Sequence, residues 1–136
     1  PPPAGRMAIQ HVALNCRDRR KQEEFYARYF GFKRARVFNR GQPNEFLMLR
    51  LGDVCLELFQ ADAKAAAASS WEHPVGFKHL AFEVEDLEAV VARLQADGIP
   101  TDKIADCSKM VSGLRVCFFR DPDGNRLELV EGWKDE

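Results

Sequence analysis

Two histidines and two glutamates carry the chemical interest of this sequence. His11 opens the run HVALNC and His79 opens HLAFEV, while Glu57 and Glu128 each sit between leucines in an LEL triplet. Side chains alternate along a strand, so the flanking leucines face one way and each glutamate the other. The same parity puts Val12, Leu14 and Cys16 opposite His11, Ala13 and Asn15. A carboxylate on an inner strand is costly to desolvate without a partner, and two close together are worse. A divalent cation balances both charges, and two neutral imidazoles complete a mixed nitrogen and oxygen set. His11, Glu57, His79 and Glu128 are therefore the expected ligands of one divalent metal ion, with nickel, zinc, cobalt, manganese and iron all compatible. A closed structural zinc site more often uses cysteine, so this set reads as open to water or substrate. Taken singly, each histidine reads as a hydrogen-bonded structural residue and each glutamate as a solvated one. The recurrence of both types at matching places carries the metal reading.

Matching places imply a repeat. His11–Asp18 is echoed by residues 79–86, apolar position for apolar position. Each copy leads into a helical pattern, with Phe25, Tyr26, Tyr29 and Phe30 in the first and Leu87, Val90, Val91 and Leu94 in the second. Asp18 and Asp86 are suited to cap the helix starts, and Gly31 and Gly98 to end them. Strands are then expected over Glu45–Leu51, Val54–Phe59, Leu114–Phe119 and Arg126–Val130, with turns at Gly52-Asp53 and Asp121-Pro-Asp-Gly-Asn125. Each half thus reads as a strand, a helix and about three strands: module 1 over residues 7–60 and module 2 over 77–132. The alanine-rich stretch 61–76, broken at Pro74, reads as a short helical turn and link. Residues 1–6, with three successive prolines, are expected to lie outside the fold as a disordered or non-native tail.

The chain has 136 residues, a formal net charge of -1, 46% hydrophobic and 30% charged residues, which fits one soluble globular domain over 7–136. That balance argues against nucleic acid as a partner, and the basic run Arg17, Arg19, Arg20, Lys21 is offset at once by Glu23 and Glu24. No apolar run approaches the roughly 20 residues that cross a bilayer, and no signal-peptide core is visible, so a cytoplasmic location is expected. Cys16, Cys55, Cys107 and Cys117 form no CxxC pair and are expected to be thiols, with Cys55 and Cys117 packing rather than reacting.

HVAL, LELF, GFKHLAFEV and the ending DPDGNRLEL, set in duplicated modules along nearly the whole chain, resemble the vicinal oxygen chelate superfamily, which comprises glyoxalase I, bleomycin resistance proteins and dioxygenases. The resemblance implies an α+β fold of two βαβββ modules whose mixed sheet curves around a metal, and a homodimer that shares the site across its interface. A His-Glu-His-Glu set is most similar to bacterial glyoxalase I, a lyase that acts on a hemithioacetal of glutathione through its two neighbouring oxygens. It implies Glu128 and Glu57 as proton-transfer bases next to a metal-polarised carbonyl, with the developing enediolate oxygen stabilised there. Asn15 and Ala61 stand where glyoxalase I carries the arginine and asparagine that hold glutathione. The expected partner is thus a small molecule with vicinal oxygens.

Methylmalonyl-CoA epimerase is the neighbouring alternative, although it usually has glutamine where this chain has Glu57; Glu45, in EFLMLRL, resembles the segment that carries the epimerase base. An extradiol dioxygenase would use His11, His79 and Glu128 as a facial triad on iron, leaving Glu57 in an open position. A non-catalytic resistance protein generally lacks a complete ligand set. Asn15, Arg50 and Arg126 join Glu45 as substrate contacts, the two arginines as anchors for an anion. Trp71, His73 and the residues beside the Cys107–Gly113 loop, namely Lys109, Met110, Ser112 and Arg115, are weaker candidates that read as local packing or solvated loop.

Overall fold

The computed structural model describes residues 8–64 and 77–136. The expectations for residues 1–6 and for most of the 61–76 link, Trp71 and His73 included, lie outside the described residues. The chain divides into two compact units, 1–65 and 66–136. Unit 1 runs β1 (His11–Cys16), α1 (Arg19–Phe30), β2 (Lys33–Phe38), β3 (Phe46–Leu51) and β4 (Val54–Gln60); unit 2 runs β5 (Leu80–Glu83), α2 (Leu87–Ala96), β6 (Ala105–Asp106), β7 (Arg115–Arg120) and β8 (Arg126–Glu131). Each is a βαβββ module with one four-stranded mixed sheet, in the orders β1-β4-β3-β2 and β5-β8-β7-β6. In both, the first strand pairs in parallel with the last, and the remaining pairs are antiparallel. The fold class expected from the sequence is the one observed.

Local chemistry sets the helix ends. The Asp18 carboxylate accepts from the backbone N–H groups of Arg20 at 3.0 Å and Lys21 at 3.3 Å, and Asp86 does the same for Ala89 at 3.1 Å. Gly31 takes a left-handed φ of 79° directly after α1, and its N–H donates to the Ala27 carbonyl. At α2 the cap residue is Asp97, and Gly98 follows it at φ 78°. The left-handed residue is needed in both halves because it turns the chain while closing the last carbonyls.

The leucines flanking the glutamates make the core. Leu56 and Leu58 in unit 1, and Leu127 and Leu129 in unit 2, are all at most 1% exposed, on the helix side with buried Phe25 and Tyr26 in the first and Leu87 and Leu94 in the second. Two strands were not located in the sequence. β2 carries lysine and arginines without clean alternation and has a register shift between Arg34 and Arg36, and β6 is only two residues long. Both are edge strands, where charge and brevity oppose further pairing. The Arg115 guanidinium, a loop-side candidate in the sequence, ties the helix side of unit 2 together: it donates to Glu131 at 2.7 and 3.0 Å and to Glu88 at 2.6 Å. Glu131 in turn accepts from the Leu87 N–H at the start of α2, and these donors, Arg115 first, hold its carboxyl below the usual range.

Two glycines give a graded test. Nothing lies within 4 Å of a Cβ built on Gly31, so Gly31→Ala carries only the left-handed backbone penalty, about 1 kcal/mol. A Cβ on Gly132, at φ 81°, would lie 2.4 Å from the Gly113 carbonyl oxygen, so backbone must move. Thermal unfolding should show a drop of a few degrees for Gly31→Ala and a larger one for Gly132→Ala; equal drops would mean the Gly113–Gly132 approach is not tight.

Candidate metal centre

Sheet register places each histidine and glutamate. In unit 1, β1 runs beside β4 with Ala13 opposite Glu57, and Glu57 is in turn opposite Met48 on β3. Glu57 therefore lies on the face away from Leu56 and Leu58, the face that His11 shares. His11 Nε2 and a Glu57 oxygen are 3.5 Å apart. The other imidazole nitrogen, Nδ1, is hydrogen-bonded to the side-chain oxygen of Gln10. That contact leaves Nε2 as the ring nitrogen facing Glu57.

Unit 2 repeats the arrangement. Ala81 on β5 is opposite Glu128 on β8, and Phe118 on β7 is opposite it on the other side. The register follows from the turn between β7 and β8: the Asp121 side chain accepts from the N–H groups of Asp123 and Asn125 at 2.9 Å and from the Asn125 amide at 2.8 Å. His79 precedes β5, and its Nε2 lies 3.1 Å from a Glu128 oxygen. The Phe118 ring meets the imidazole edge-to-face, with centroids 5.3 Å apart. Both carboxylates are more enclosed than their histidines, with side-chain exposures of 15% and 16% against 42% and 26%.

Each unit thus presents one nitrogen and one oxygen donor side by side. Among the described residues no three His, Cys, Asp or Glu side chains gather into a group that could hold a metal ion. The pair separations nevertheless fit a shared cation. With metal–donor bonds of about 2.0–2.2 Å, two ligands at octahedral to tetrahedral angles stand about 2.9–3.5 Å apart. The observed 3.1 and 3.5 Å fall in that window, and in both pairs Nε2 is the ring nitrogen that meets the carboxylate.

The family profile described as Glyoxalase/Bleomycin resistance protein/Dioxygenase superfamily matches residues 8–129. The chain belongs to that superfamily. It is 34% identical over 126 residues to an uncharacterized protein of Bacillus subtilis, YwkD, covering 91% of this chain and 96% of that one. A lactoylglutathione lyase of Haemophilus influenzae is 25% identical over 130 residues, covering 92% and 93% respectively. The crystal structure of a glyoxalase family protein from Enterococcus faecalis superimposes with a TM-score of 0.75 at 36% identity, over 91% of this chain and 97% of that one.

The remaining candidates in this superfamily member fall in different places. Asn15 lies on the His11 face, opposite Phe59. Phe59 stacks on Phe46 at 4.2 Å and Phe46 on Phe38 at 4.6 Å, so an aromatic row crosses that end of the sheet. Arg50, two residues beyond Met48, is exposed and among the described residues donates only to the Gly52 carbonyl, at 3.4 Å. Glu45 is engaged toward α1 instead. Its carboxylate accepts from the Gly41 N–H at 2.8 Å and lies 3.5 Å from Arg19, and these contacts, Gly41 first, hold its carboxyl below the usual range. The structure therefore brings His11 to Glu57 and His79 to Glu128, while Glu45 is turned to a separate polar cleft of about 390 Å³. Two contributors were not singled out in the sequence. Gln10 is one residue before a predicted strand, and Phe118 sits inside an apolar run like any core residue. Only the strand register shows that Phe118 shares the face of Glu128.

Proposed function

We propose that the chain is a divalent-metal-dependent, glyoxalase I-like lyase or isomerase that moves a proton beside a carbonyl of a small substrate with vicinal oxygens. The observation that carries it is the repetition of one histidine–glutamate pair at equivalent register positions, each at a spacing suited to two ligands of one ion. His11, Glu57, His79 and Glu128 would hold a single ion, and a homodimer would complete the site across its interface. Bound there, a nickel, zinc, cobalt, manganese or iron ion would polarise the carbonyl and lower the barrier to losing the adjacent proton. Glu128 is the base that takes and returns that proton, with Glu57 as the second carboxylate within the site. Gln10 would hold the His11 ring with Nε2 toward Glu57, and Phe118 would steady the ring of His79. The likeness to a lactoylglutathione lyase supports the reaction class. Asn15 and Ala61, in place of the arginine and asparagine that hold glutathione in glyoxalase I, speak against glutathione as the thiol carrier.

Protein purified without chelating resin should carry about one divalent metal per chain by elemental analysis. Solvent-deuterium exchange screened over hemithioacetals, acyl-CoA thioesters and 2-oxo acids should show incorporation next to the carbonyl for one of them. Full activity in metal-free protein would end the metal reading, and tight binding without exchange would replace catalysis with sequestration.

A further inference from the structure

The second unit carries a cation that its own fold does not use. Arg126 is half-buried on β8, and its guanidinium lies over the Phe118 ring at 4.1 Å. Among the described residues it has no hydrogen bond or ion pair, so its fork of N–H donors is unmatched. Partly desolvating such a group without an acceptor is unfavourable, and stacking on an aromatic face offsets only part of that. Its cross-strand partner is a second arginine, Arg120, whose guanidinium donates to the Gly124 carbonyl in the turn at 2.8 Å. Like charges directly opposite one another destabilise a strand pair. The unmatched donors of Arg126 are satisfied by an anion seated against them. Two residues along the strand, on the same face, is Glu128, at about 6.5–7 Å by strand geometry.

We infer that Arg126, held over the Phe118 ring, recognises an oxyanion on the substrate, a carboxylate or a phosphate a few bonds from the vicinal oxygens. This rests on the assignment of His79 and Glu128 for the position of those oxygens, but the anion contact itself does not require a metal. The planar fork of arginine suits a trigonal or tetrahedral oxyanion in two-point contact, which lysine cannot reproduce. Phe118 is then a positioning residue for two partners, His79 through an edge-to-face contact and Arg126 over its ring.

The test uses the full-length protein as purified and two matched pairs of probes: 2-oxoglutarate with its distal methyl ester, and dihydroxyacetone phosphate with dihydroxyacetone. Binding is read by calorimetry, and the Arg126 side-chain resonances by NMR. The charged member of at least one pair should bind at least tenfold more tightly and shift the Arg126 Nε signal, and which pair does so distinguishes carboxylate from phosphate. Arg126→Gln should abolish the difference, Arg126→Lys should retain only part of it, and metal content should not change. Equal affinity within both pairs in the unaltered protein, or no binding of any probe, overturns the inference whatever the variants do. If the charged probes shift Arg126 while no metal is found, the proposed function fails and the anion site stands.

Discussion

Glu128→Gln should remove most of the proposed proton transfer while leaving much of the metal behind. The substitution preserves shape, and a carboxamide oxygen remains able to ligate through the same atom position near His79. It removes the negative charge and the basicity, and a positioned general base is worth about 10²- to 10⁴-fold in rate. Exchange of the substrate proton with solvent should fall by that order, whereas metal content by elemental analysis should fall far less. Glu57→Gln should reduce the rate by a smaller factor, because in the proposed site the second carboxylate would act as ligand and charge partner. Unchanged turnover in Glu128→Gln would take the base role away from it, and a larger loss at Glu57 would transfer the role there.

Much of this arrangement was legible because duplication and parity are both properties of sequence. His11–Ala13 and His79–Ala81 read as equivalent before any coordinates, and the leucines around Glu57 and Glu128 fixed which way the carboxylates turn. The helix ends were legible because aspartate caps and left-handed glycines act within one turn of chain. What was not legible depends on longer-range geometry. β2 and β6 are edge strands whose residues, Lys33 to Phe38 and Ala105-Asp106, carry no alternation to read. Phe118 becomes part of the site only through its register with Glu128, which the Asp121–Asn125 turn sets. Glu45 shows the converse. Its segment looks like one that carries a base, yet Arg19 on α1 and the Gly41 N–H in the loop between β2 and β3 hold the carboxylate, and nothing in a linear pattern reports that competition.

The opposite face of the same strand should fail in the opposite way. Leu129 is fully buried, one residue from Glu128, between Phe82 on β5 and Cys117 on β7. Leu129→Ala leaves a cavity in the layer between sheet and α2, where backbone hydrogen bonds on both sides prevent collapse, and should lower stability by about 2–5 kcal/mol. Against the roughly 5–15 kcal/mol of an ordinary domain, that is a large fraction of the whole. Urea denaturation should show the midpoint falling with little change in slope, while the chains that remain folded keep their metal and their exchange rate. Glu128→Gln should do the reverse, losing exchange with little change in midpoint. If Leu129→Ala instead stripped metal at unchanged stability, the two sides of β8 would have to be exchanged, and with them the parity on which all four ligand assignments depend.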